Sequence, residues 1–156
     1  MSSSANQNRF AYVLCEGLLT GSGATGGVGL VIKDKRRQRL RAVSRQVAAR
    51  SRAGVRFAAL AEALRECRQC GFRRVVVYCH DAGVVDQVNR RAPTLAETRA
   101  GCLEVRALMN MFDRAEVRCL PWVANLEATW LARQAASRPS PAVARKLQPT
   151  LPMDAA

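Results

Sequence analysis

Lysine, histidine and acidic residues are all scarce in this chain. Lys33, Lys35 and Lys146 are the lysines within a Lys+Arg total of 25, His80 is the one histidine, and Asp+Glu sum to 12. One histidine beside one CxxC spacing, Cys67-Arg68-Gln69-Cys70, with no second pair at zinc-finger distance, argues against a structural zinc site. No apolar run approaches the roughly 20 residues needed to span a bilayer, which excludes a transmembrane helix. The chain carries no GKS or GKT, and its glycine cluster at 21–29 opens no helix, so a P-loop is not supported. No apolar leader precedes the cysteines 15, 67, 70, 79, 102 and 119, which sit inside apolar segments rather than loops. A reduced, cytoplasmic chain is expected, not a disulfide framework.

What is present is arginine. The formal net charge is +13, enough to attract polyanions through salt-dependent phosphate contacts, although a genome that favours arginine codons accounts for part of the surplus. A length of 156 residues with 49% apolar content suits one domain with tails. The expected division is a flexible segment 1–8, a folded domain 9–136 and a basic, Pro-rich tail 137–156.

The run Phe10 to Ile32 reads as a β-hairpin with Glu16 near its centre. Gly21, Gly23, Gly26 and Gly27 are assigned to the connection, and Gly29 marks close approach of another backbone. After the charged turn at 33–37, apolar positions Leu40 and Ala42 alternate with arginines, predicting a third strand with a basic face. Phe57, Leu60, Ala61, Leu64 and Cys67 fall at helical spacing up to Gly71. The β-branched run Arg74 to Cys79 then predicts a strand buried on both faces, parallel to the first. Asp81 caps a short helix, Thr94 and Glu97 form a capping box for another, and a strand around Val117 precedes a final helix from Asn125 to Ala136.

This order of elements, with several local strings, resembles type 1 ribonuclease H and its reverse-transcriptase-associated relatives from about Phe10 to Ala136. Glu16-Gly17 followed by Gly27-Val28-Gly29 resembles the family's first hairpin. The string from Arg73 to Asn89 resembles its central strand and following turn, and Asn125 to Ala132 its last helix. The resemblance implies an α/β ribonuclease H-like fold: a five-stranded mixed sheet, three antiparallel strands followed by parallel ones, flanked by helices. It also implies a cluster of four acids that holds two divalent cations for phosphodiester hydrolysis. Carried over position by position, those acids fall on Glu16, Arg56, His80 and Thr129, with Asp81 as a substitute for His80.

One acid in four, with an arginine among them, leads to the expectation of a degenerate site that needs no cofactor. Mg²⁺ or Mn²⁺ enters only if hydrolysis survives through Glu16, His80 and Asp81. The leading functional expectation is a module that binds RNA/DNA hybrid or duplex through backbone phosphates, using Arg36, Arg37, Arg39, Arg41, Arg45, Arg90 and Arg91. The alternatives are a protein-interaction or dimerisation scaffold, with Trp122 and Trp130 as anchors, and a residual metal-dependent ribonuclease H.

Overall fold

The computed structural model describes residues 9–21 and 24–138, without the side chain of Trp122. The segment 1–8, most of the tail 137–156 and the anchor role of Trp122 therefore lie outside the described residues. Five strands form one sheet: β1 (Phe10–Leu19), β2 (Thr25–Lys33), β3 (Arg39–Ala48), β4 (Arg74–Cys79) and β5 (Arg114–Cys119), in the order β3-β2-β1-β4-β5. The first three are antiparallel, and β4 runs parallel to both β1 and β5. Among the described residues four α-helices accompany them: α1 (Arg52–Gln69), α2 (Ala82–Val88), α3 (Arg99–Met109) and α4 (Leu126–Ser137). This is the five-stranded mixed sheet flanked by helices that the resemblance implies.

Strand alternation divides the apolar residues between two layers. Ala11, Val13 and Cys15 of β1, Val75 and Val77 of β4 and Val117 of β5 meet Phe57, Leu60 and Leu64 of α1, Val84 of α2 and Cys102 of α3. Burying each large side chain there contributes about 1.5–3 kcal/mol. On the opposite face Val31 packs with Ala128 and Leu131 of α4, and Leu14 and Ala42 join them.

Close approach requires glycine where the second layer meets the sheet. A Cβ at Gly29 would lie 2.0 Å from the Ala128 carbonyl oxygen, and one at Gly27 2.0 Å from that of Ala132. The backbone approach expected at Gly29 is thus made by α4. Gly26 and Gly27, assigned to the hairpin connection, belong to β2 instead, since they accommodate Val55 and α4 rather than a turn. The Thr94–Glu97 capping box does not form. A 3-10 turn at Ala96–Thr98 precedes α3, whose N-cap residue Thr98 accepts no bond from the helix's own amides. The Gln87 side-chain oxygen instead accepts from the Leu95 amide at 3.5 Å and the Thr98 hydroxyl at 3.3 Å, tying this connection to α2.

Candidate functional site

Glu16 sits in the middle of β1, opposite Gly29 of β2, and is 1% exposed. The next residue lets α1 come close: a Cβ at Gly17 would lie 2.3 Å from the Val55 carbonyl oxygen. This approach brings Arg56, in the first turns of α1, to the carboxylate, with Nε 3.8 Å from Glu16 Oε1. The same Oε1 accepts from the Gly17 amide at 2.8 Å. His80, one residue beyond the end of β4, places Nδ1 2.5 Å from Glu16 Oε2, a close contact without the alignment of a hydrogen bond.

Asp81 completes the cluster from the other side of the arginine. Its Oδ2 accepts from Arg56 Nη1 at 2.5 Å, while Oδ1 accepts from the Val84 amide at 3.1 Å and caps α2 as expected. One guanidinium thus reaches two carboxylates, on the middle of one strand and just past the end of its neighbour. Burial pushes the Glu16 pKa up, and the His80, Gly17 and Arg56 contacts only partly offset it. Burial raises Asp81 too, but the Val84 amide and Arg56 outweigh it and leave its pKa below the ordinary 3.8. Among the described residues no three His, Cys, Asp or Glu side chains converge in a metal-holding group.

The expected basic face of β3 is divided. Between Ile32 and Lys33 the β2–β3 register slips, so that Lys33 pairs with Arg39 but Ile32 with Arg41. Arg39 consequently pairs with Glu127 of α4 at 3.0 Å, whereas Arg41 reaches Glu66 of α1 at 2.5 Å and Arg45 pairs with Glu62. All three remain about half exposed, but they serve two different faces. Arg36 and Arg37 lie on the β2–β3 turn, the latter with φ +64° and its guanidinium 4.7 Å from the centre of the Tyr12 ring. Arg90 and Arg91 follow α2 at a separate place, Arg91 3.9 Å from Asp86.

The sequence profile of the reverse transcriptase-like family matches residues 14–135. The chain belongs to that family. Its fold is that of a ribonuclease H-like domain, and solved structures agree. It is similar to ribonuclease H1 of the archaeon Halobacterium salinarum, with 21% identity and a TM-score of 0.74 over 81% of this chain and 96% of that one. The N-terminal ribonuclease H domain of a Mycobacterium tuberculosis protein, solved as a fusion with maltose-binding protein, gives 19% and 0.75 over 90% and 100%. A ribonuclease H1 isolated from compost, solved with an RNA/DNA hybrid, gives 18% and 0.72 over 83% and 96%. At such identities the likeness carries the fold. No curated protein sequence matches.

In this ribonuclease H-like domain, three of the four positions matched to the family's acids meet: Glu16, Arg56 and His80, with Asp81 beside them. Thr129, the fourth, is half-buried on α4 and makes no side-chain hydrogen bond among the described residues. Asn125 stands at the start of the last helix as expected, in the N-cap position, but its side chain makes no capping bond. Fully buried, it donates from Nδ2 to the Cys15 carbonyl oxygen at 2.8 Å, fastening the entry to α4 against β1 directly beside Glu16. A polar residue ahead of an apolar helix signals a cap, and nothing local shows that its partner lies 110 residues away. A cavity of about 820 Å³, lined by Arg50, Gly54, Phe57, Glu97 and Thr98, shares no residue with the Glu16 cluster.

Proposed function

We propose that this ribonuclease H-like domain binds nucleic acid, RNA/DNA hybrid in particular, through backbone phosphates, and that it does so without the two divalent cations implied by the family resemblance. The observation that carries the reading is Arg56, whose guanidinium bonds Asp81 at 2.5 Å and stands 3.8 Å from Glu16. A hard cation such as Mg²⁺ or Mn²⁺ takes oxygen ligands and is repelled by a fixed positive charge among them. The guanidinium neutralises the carboxylates that such an ion would need, and the donor set does not fit two metals. The net charge of +13 supports phosphate binding, and the compost relative was solved with an RNA/DNA hybrid.

The test is titration of a labelled blunt RNA/DNA hybrid at low and moderate salt with Mg²⁺ or Mn²⁺ present, following binding and cleavage together. Binding that weakens steeply with salt, without cleavage, is expected. Cleavage that disappears in Glu16→Ala overturns the metal-free reading, and absence of binding at low salt overturns the nucleic-acid reading.

A second reading, a self-association or protein-docking scaffold, is favoured by one surface. Val123 in the 3-10 turn Trp122–Asn125 and Leu126 and Trp130 of the α4 that follows are each more than half exposed.

A further inference from the structure

The α4 face of the sheet is only half covered. Helix α4 packs on β1, β2 and β3, and among the described residues no helix lies over β4 and β5 on that side. The strand register arranges the uncovered part as a grid. Phe10, Arg74 and Arg114 form one row, Tyr12, Val76 and Glu116 the next, and Tyr78 and Arg118 the third. These side chains, with Arg37 from the β2–β3 turn, line a groove of about 360 Å³. A neighbouring hollow of about 280 Å³ shares Phe10, Tyr12 and Arg74 and adds Lys35.

We propose that this groove is a second nucleic-acid site, which binds a single strand by stacking bases on Tyr12 and Tyr78 while Arg37, Arg74 and Arg118 hold its phosphates. The Tyr12 and Tyr78 rings lie 22° from parallel with centroids 6.3 Å apart, and Phe10 meets Tyr12 edge-on at 4.6 Å. Tyr12 offers a reachable ring face, since the Arg37 guanidinium, itself a flat cation, already stands over it at 4.7 Å. The 6.3 Å separation of the rings exceeds the step of about 3.4 Å between neighbouring nucleotides of a duplex strand. The two rings therefore suit successive bases of an unstacked strand rather than the closed stack of a double helix.

Charge selects the ligand class. Lys35, Arg37, Arg74, Arg114 and Arg118 surround the rings, and Glu116 is the one carboxylate in the lining. Glu116 pairs with Arg114 at 2.7 Å and with Arg118, which orients both guanidinium groups at the groove's rim. Aromatic rings that stack bases within a basic track are what sequence-tolerant single-strand binding requires. An acidic or apolar protein segment lacks the repeated pairing of planar ring and anion that this lining matches.

Glu16 stands two residues beyond Leu14 on β1, and His80 two residues beyond Tyr78, just past the end of β4, so the platform leads toward the cluster described above. The inference goes beyond hybrid binding and does not depend on it.

The experiment uses the full chain and labelled oligo(dT) and oligo(U), read by anisotropy at low salt, beside a blunt RNA/DNA hybrid. Tyr12→Leu/Tyr78→Leu keeps the sheet's apolar packing and removes both stacking faces. Single-strand affinity is expected to fall at least about tenfold, with hybrid affinity within about twofold of wild type. Equal single-strand binding by the variant, or no oligonucleotide binding by wild type, overturns the proposal. Should the variant unfold by circular dichroism, cross-linking of 4-thiouracil oligonucleotides to the wild type decides: adducts on β1, β4 or β5 are expected, and adducts confined to other elements overturn it. Loss of hybrid binding alone would refute the function proposed above and leave this site standing.

Discussion

At Glu16, folding takes a carboxyl out of water and sets a guanidinium, an imidazole and a backbone amide around it. Its pKa is raised above the ordinary 4.5 because burial outweighs those contacts. The unfolded chain therefore releases this proton first. The group's contribution to stability is complete below about pH 4.5 and is lost as pH rises through the raised folded value. Asp81 has the opposite sign: its stabilising contribution is present above 3.8 and is lost as pH falls through its depressed folded value.

Glu16→Gln should gain stability relative to wild type as pH rises above 4.5, measured by urea unfolding across pH; a difference that does not vary with pH would show that burial of the charge is not what costs. Arg56→Met should lose about 3 kcal/mol at neutral pH, since it removes the cation that Glu16 and Asp81 share. Part of the loss should return in Glu16→Gln/Arg56→Met, and an unchanged unfolding midpoint in the single variant would sink the account.

Among the elements, α4 lies against β2 at a distance that glycine alone permits. With an alanine at Gly29, the new Cβ would stand 2.0 Å from the Ala128 oxygen and 2.5 Å from the Ala132 nitrogen, so the helix must shift. Gly29→Ala is expected to destabilise by about 3 kcal/mol. Gly21→Ala, where an added Cβ meets nothing within 4 Å, should change little. Thermal unfolding of the two variants gives the comparison, and equal melting temperatures would contradict the packing described. The β3 bulge is a second element-scale device, for one slipped residue sends Arg39 toward α4 and Arg41 toward α1.

Viewed whole, the protein carries a large positive charge on a small fold, with cations distributed over several surfaces rather than one basic stripe. The exposed apolar stripe of Val123, Leu126 and Trp130 is the counterweight to a purely electrostatic role. If that stripe joins two copies, the sedimenting mass should rise with concentration, and Trp130→Glu should restore the monomer. A wild-type chain that stays monomeric throughout would remove self-association as an explanation of the stripe.

Periodicity and β-branching were enough to read the strand and helix order, the parallel pairing of β1 with β4 and the Asp81 cap, because each depends on residues close together in the chain. The meeting of Glu16, Arg56 and His80 could be anticipated because the family resemblance supplied the long-range alignment that local pattern lacks. Other features depended on contacts between distant segments. Gln87 displaced the Thr94–Glu97 capping box, Asn125 reached back to β1 instead of capping its own helix, and Gly26 and Gly27 served close packing rather than a turn. The division of the β3 arginines and the gathering of Tyr12, Tyr78, Arg37 and Arg118 on one sheet face were likewise decided in three dimensions. Sequence alone determined which elements form, since propensity and periodicity act over a few residues; only the tertiary structure decided which charges neutralise one another and which remain free to meet a ligand, since that depends on register and on the half of the sheet that α4 leaves uncovered.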